Sequence, residues 1–202
     1  MSFVPKLDGT DAKFASMNGG VEVAARVTIS GHPGSGTSTL VSGLCQSLNW
    51  KQLNGGQVFR DMAEEQGLTL EEFGEKCKED DSVDQGLDKL LIETMLSPDS
   101  PEIVESRLSG WWAYMNNLQC PRIWIDVSER VRAERVVERE GGTIDEQLRL
   151  IRERMNSDAS RYMQFYDLDI NSHIPYTHVI DSDVKNAEEI LRDVLKHLEE
   201  YN

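Results

Sequence analysis

An apolar run that ends in a glycine-spaced loop and restarts as a helix leaves a chain few ways to fold. Val21 to Ser30 is rich in Val, Ala and Ile and leads straight into Gly31-His32-Pro33-Gly34-Ser35-Gly36-Thr37-Ser38. Such a run entering a tight turn reads as a buried central strand. After the turn, Leu40, Val41, Leu44 and Leu48 recur at the spacing of one helical face within Ser38 to Leu48. Glycines at 31, 34 and 36 let the backbone take positive φ and bring successive N–H groups around phosphate oxygens. The following helix adds the positive end of its dipole at the same spot. The spacing is that of the Walker A loop except at one place, where Thr37 replaces the lysine. Ser38 is placed to offer its hydroxyl to Mg²⁺. Gly31 through Thr39, with His32, Pro33, Gly34, Ser35, Gly36, Thr37 and Ser38 between, are therefore the candidate ATP-binding residues, His32 through its backbone N–H.

The rest of the chain keeps alternating. Trp50 to Leu53 reads as a short strand ending at Gly55-Gly56, with helices predicted over Val58 to Gln66 and Leu70 to Lys78. Thr69 and Glu72 open the second of these in a capping-box pattern. An amphipathic run from Val83 to Leu96 stops at the Pro98 to Pro101 turn. Two short strands, Glu102 to Glu105 and Arg122 to Val127, flank a helical stretch at Trp111 to Leu118. From Glu129 the chain is helical, breaks at Gly141-Gly142 and resumes from Ile144 to Tyr166. His178 to Asp181 is a last strand and Ala187 to Tyr201 a last amphipathic helix. Strands alternating with helices predict an α/β fold of three layers, a central parallel sheet of about five strands covered on both faces. The first twenty or so residues lack periodicity and read as a flexible extension. Residues 21–202 form one domain, with a core (21–53, 101–139 and 176–202), a helical insertion (54–100) and a lid (140–175).

The 36 acidic residues against 21 Lys plus Arg give a formal net charge of −15, which argues against partners such as nucleic acid or an anionic membrane. Cys45, Cys77 and Cys120 are far apart, lack metal-ligand spacing, and read as idle thiols in a reducing compartment. The chain shows neither a leader pattern nor a long apolar span, so a cytoplasmic monomer is expected.

Transfer of a phosphoryl group spreads negative charge that needs a fixed cation nearby, and Thr37 brings none. Arginines are the available substitutes. Arg60 and Arg107 both follow segments placed at the carboxyl edge of the sheet, where ligands bind in such folds. Arg132, Arg135 and Arg139 lie three and four apart, on one helical face. Arg152, Arg154 and Arg161 form a further group.

Gly31 to Thr39, Gly56 to Arg60, Leu70 to Gly74, Glu105 to Gly110, Val131 to Glu140 and Arg152 to Asp169 match, in order and spacing, the archaeal cytidylate kinase family, a branch of the P-loop nucleoside monophosphate kinases. The resemblance covers nearly everything after about Val23. Some members also carry threonine at the lysine position, so Thr37 resembles a subgroup habit. The resemblance implies that Arg60 and Arg107 hold the acceptor phosphate, a task suited to bidentate forks. It makes residues 54–100 the acceptor-binding segment. Glu105 resembles the carboxylate that orients Mg²⁺-bound water. Arg135 and Arg139 match arginines near the donor adenine and its phosphates. Arg154 and Arg161 resemble lid arginines that close on the transferring group, with Asp158 facing the acceptor nucleoside. Arg107, Arg139, Arg154 and Arg161 are thus the catalytic set.

Two departures from the family pattern stand out. Ser106 replaces a glycine, and Gly55 lies where bacterial relatives place a serine near the base. Asp84 and Asp88 share one helical face and could read a cytosine amino group or stand as solvated acids. The expected reaction moves the γ-phosphoryl group of ATP, with Mg²⁺, onto CMP or dCMP. A nucleotide-binding pseudokinase, or a kinase for AMP or UMP, is the alternative. Trp111, Trp112 and Trp124 are expected to pack the core, and Tyr162 and Tyr166 to pack the lid helix.

Overall fold

The computed structural model describes residues 25–79 and 81–201, without the side chains of residues 70, 71, 75, 78, 79 and 81–84. The segment read as an N-terminal extension and the side chain of Asp84 lie outside the described residues.

The aliphatic run before the glycine loop forms β1 (Val27–Gly31), and the periodic stretch after it forms α1 (Thr37–Leu48). Next follow β2 (Gln52–Asn54), α2 (Gly55–Glu65), α3 (Leu70–Glu79) and α4 (Asp81–Leu96). Then come β3 (Ile103–Glu105), α5 (Ser109–Met115), β4 (Arg122–Asp126), α6 (Glu129–Glu140) and α7 (Ile144–Tyr166). The chain closes with β5 (His178–Asp181) and α8 (Ala187–Tyr201). The five strands run parallel in the order β2-β3-β1-β4-β5. This is the predicted α/β architecture.

Period-two alternation divides the core between the two sheet faces. Val27, Ile29, Ile103, Ile123 and Ile125 meet Leu40, Val41 and Leu44 of α1 and Ile190, Val194 and Leu198 of α8. Across the sheet, Val104 joins Met95 of α4, Trp112 of α5 and Tyr166 of α7. Each such side chain contributes about 2 kcal/mol on burial. The polar residues of β1 face α5: Ser30 Oγ lies 3.0 Å from Ser109 Oγ, which donates to the Ile29 carbonyl at 3.1 Å. Trp111, Trp112 and Trp124 are all buried, as core packing requires. The three cysteines are free thiols.

Boundaries shift where caps decide them. The Gly55-Gly56 pair, expected to end the strand ahead of a helix at Val58, lies inside α2, because Asn54 Oδ1 accepts the Gln57 N–H at 2.9 Å and starts the helix there. α5 begins at Ser109, two residues before the predicted start. The capping box of α3 is present, with Glu72 Oε2 accepting the Thr69 N–H at 2.8 Å and Thr69 Oγ1 accepting the Glu72 N–H at 3.2 Å.

Because β3 and β4 flank β1 on opposite sides, the chain reverses direction across the sheet there, and the loops after β1 and β3 open on the resulting crevice. Among the described residues no helix is long and apolar enough to cross a membrane.

Candidate active site

The crevice is a cleft of about 760 Å³. Its floor is the glycine loop, where Gly34 (φ 83°) and Gly36 (φ 89°) sit in the left-handed region. At Gly34 a Cβ would also stand 3.0 Å from the Arg132 carbonyl oxygen. Gly36 is the N-cap of α1 and offers no side-chain cap, so the first-turn N–H groups remain available to an anion.

The loop is held from behind by α6. Arg132 is 2 % exposed, and its guanidinium donates to the Pro33 carbonyl (3.2 Å) and the Val127 carbonyl (3.2 Å). Arg135 donates to the Ser35 carbonyl at 3.0 Å and to the Ser182 carbonyl at 2.6 Å. These bonds anchor the loop against α6 and the end of β5. The predicted common face of Arg132, Arg135 and Arg139 is thus divided: only Arg139 reaches the cleft wall, beside Glu140, at 2.5 Å. Arg135, expected near the donor adenine, is spent on the loop and the β5 end.

Gly31, His32, Pro33, Gly34, Thr37 and Ser38 line the cleft, whereas Ser35, Gly36 and Thr39 do not. The His32 ring stands edge-on to Trp124, with centroids 4.8 Å apart. Burial, followed by the charges of Arg132 and Arg107, lowers its pKa to about 4.

Arg60 of α2 and Arg107 after β3 reach the same cleft. From the lid side come Arg154, Asp158 and Arg161, whose spacing of four and three places them on one face of α7. Asp158 is 5 % exposed and bridges two of these cations, pairing with Arg107 and, at 3.2 Å, with Arg161. Burial first, and then the neighbouring Arg154, bring the Arg107 pKa down to about 10. Burial also lowers that of Arg154, with Arg161 and Arg139 adding repulsion. Crowded cations in a desolvated cleft favour an anion of more than one charge.

Glu105, at the end of β3, accepts from Thr37 Oγ1 at 2.8 Å and from Asn54 Nδ2. Burial raises its pKa, opposed by those two hydrogen bonds and by the charges of Arg107 and Arg60. Among the described residues no group of three or more His, Cys, Asp or Glu could cage a metal. One hydroxyl, Ser38, and one carboxylate, Glu105, on the same wall do fit Mg²⁺, which takes its remaining ligands from phosphates and water.

Several wall residues escaped the sequence reading. Tyr162 does more than pack the lid, since its hydroxyl accepts from Arg161 at 2.9 Å. Tyr166 donates its hydroxyl to Asp88 Oδ2 at 2.7 Å and so orients an acid that lines the cleft. Asn54 was hidden as well, although a polar residue just before a helix is the signal of a cap. Gly55 and Ser106, two separate departures in the sequence, meet here: a Cβ on Gly55 would stand 2.9 Å from the Ser106 Cβ.

A family model described as an AAA domain matches residues 27–164. The cytidylate kinase of Methanospirillum hungatei is 40% identical over 166 residues, covering 82% of this chain and 91% of that protein. That of Pyrococcus furiosus is 38% identical over 156 residues, covering 77% and 79%. Among solved structures, an uncharacterized protein from Eubacterium ventriosum superposes with a TM-score of 0.67 at 12% identity, covering 87% of this chain and 98% of that one. A shikimate kinase from Acinetobacter baumannii gives 0.57 at 10% identity, covering 89% and 95%. At these identities the structures speak to the fold alone, and the sequence relatives carry the kinship. On that kinship, the chain whose glycine loop carries Thr37 in the lysine position belongs to the cytidylate kinase family and is an ATP-dependent nucleoside monophosphate kinase.

Proposed function

We propose that the enzyme transfers the γ-phosphoryl group of ATP to CMP or dCMP, giving ADP and the cytidine diphosphate. The observation that carries this is the convergence of Arg60, Arg107, Arg154 and Arg161 on the cleft that the glycine loop floors. The loop amides and the α1 N-terminus cradle the donor phosphates, and Arg60 and Arg107 take the acceptor phosphate by bidentate contacts. In transfer, an acceptor phosphate oxygen forms a bond to the γ-phosphorus as the bond to the β-bridging oxygen breaks. That acceptor oxygen is already anionic at neutral pH, so no general base is required. Arg139, Arg154 and Arg161 then stabilise charge on the moving group, and closure of 140–175 excludes water. Mg²⁺, when bound, would be held by Ser38 directly and by Glu105 through water, and would neutralise phosphate charge.

Asp88 supports the choice of base. A carboxylate oriented by Tyr166 receives an exocyclic amino group, which cytosine has and uracil lacks. In an assay coupled to ADP formation, CMP is expected to exceed UMP in kcat/KM by at least about 10²-fold. Equal rates with UMP would remove the assignment of the base, and faster turnover of AMP would replace it. A second reading, a nucleotide binder with little turnover, draws on the bond from Thr37 to Glu105; absence of turnover with every monophosphate would favour it.

A further inference from the structure

Asn54 and Glu105 are register partners in the parallel β2–β3 ladder, so their side chains emerge side by side at the cleft. The Asn54 amide has one possible orientation. Its Oδ1 accepts the Gln57 N–H at 2.9 Å, and an N–H can be met there only by oxygen, so Nδ2 faces Glu105 Oε2 and donates to it. The other oxygen, Oε1, accepts from Thr37 Oγ1 at 2.8 Å. A single carboxylate at the end of β3 thereby joins the first residue of α1, in the donor loop, to the cap of α2, the helix that carries Arg60.

Of the other acids lining the cleft, Asp158 pairs with Arg107 and Arg161, Glu140 pairs with Arg139, and Asp88 accepts the Tyr166 hydroxyl, whereas Glu105 contacts Thr37, the first helical residue after the glycine loop. Glu105 is held by uncharged donors, which fix its direction and leave its charge. A lysine at position 37 would instead pair with it.

We propose that Asn54 and Thr37 are positioning residues for Glu105, and that threonine stands in the lysine position to aim this carboxylate at the cation that accompanies ATP. The proposal rests on the kinase reading above. Partners of this kind orient a metal-facing group, and their loss typically costs about 10 to 100-fold in metal affinity or activity.

Asn54→Ser is the test, because serine keeps the α2 cap but is too short to reach Glu105. Mn²⁺ affinity of the ATP complex, titrated by electron paramagnetic resonance, is expected to weaken about tenfold, with kcat falling by a similar factor. The acceptor KM should stay within about twofold, and Asn54→Ser should add less than about twofold in a Glu105→Gln background, since both changes act through one carboxylate. An unchanged Mn²⁺ affinity, or an equal loss in the Glu105→Gln background, would overturn the proposal. The metal titration needs no turnover. If no monophosphate is phosphorylated, the kinase reading falls while the metal affinity still decides the role of Asn54.

Discussion

The hydroxymethyl group missing at position 55 and the one added at position 106 meet at one point of the cleft wall. The Cβ that a serine at 55 would bring stands 2.9 Å from the Ser106 Cβ and 3.2 Å from the Leu91 Cδ1, inside a wall with no slack. Gly55→Ser is therefore expected to lower the unfolding free energy by about 1–3 kcal/mol in urea denaturation. Adding Ser106→Gly should return most of that loss, and a double variant as unstable as the single would show that the two sites are independent. His32 offers a second check on a single side chain. Its folded pKa of about 4 lies below the ordinary 6.5, so the folded state resists the proton. The associated stability is complete above pH about 6.5 and is lost as pH falls toward 4, a change of about 3 kcal/mol. Comparing unfolding free energies of the wild type and His32→Gln across that range should show the variant falling less steeply, by about that amount.

Among the elements, α6 carries the largest structural load relative to its visibility in sequence. Its arginines show a helical spacing, and spacing assigns a face without saying what lies against it. Arg132 and Arg135 turned out to hold loop carbonyls, because α6 packs directly behind the glycine loop. Arg132→Met keeps the length of the side chain but strips the Pro33 and Val127 carbonyls of their donor. It should cost about 2–4 kcal/mol in urea denaturation; an effect under about 0.5 kcal/mol would mean that water replaces the guanidinium. Strongly periodic elements were legible in the sequence: β5 and α8 fall where the pattern puts them, and α7 runs from Ile144 to Tyr166 as read. The start of α2 was not, since two glycines read as the end of the strand and the Asn54 cap overrides them. The P-loop was legible from spacing, whereas Arg154 and Arg161 were singled out through the family resemblance. Asn54, Tyr162 and the partnership of Asp158 with Arg107 were legible by neither route, because each depends on which strands and helices become neighbours.

At the scale of the whole molecule, a chain of formal net charge −15 gathers guanidinium groups from four separate segments into one cleft. Such local reversal of sign concentrates anions beside the glycine loop. It also explains how a phosphoryl-transfer site can dispense with the loop lysine: the positive charge comes from α2, the turn after β3, α6 and α7. Arg107 pairs with Asp158 of α7, so the turn after β3 and α7 meet through the group proposed for the acceptor phosphate. The most direct measurement is the rate of ATP-dependent CMP phosphorylation by Arg107→Ala, taken with its melting curve to establish that the variant is folded. The account requires kcat/KM to fall by about 10²-fold or more. A folded variant that works within about twofold of the wild-type rate would contradict it.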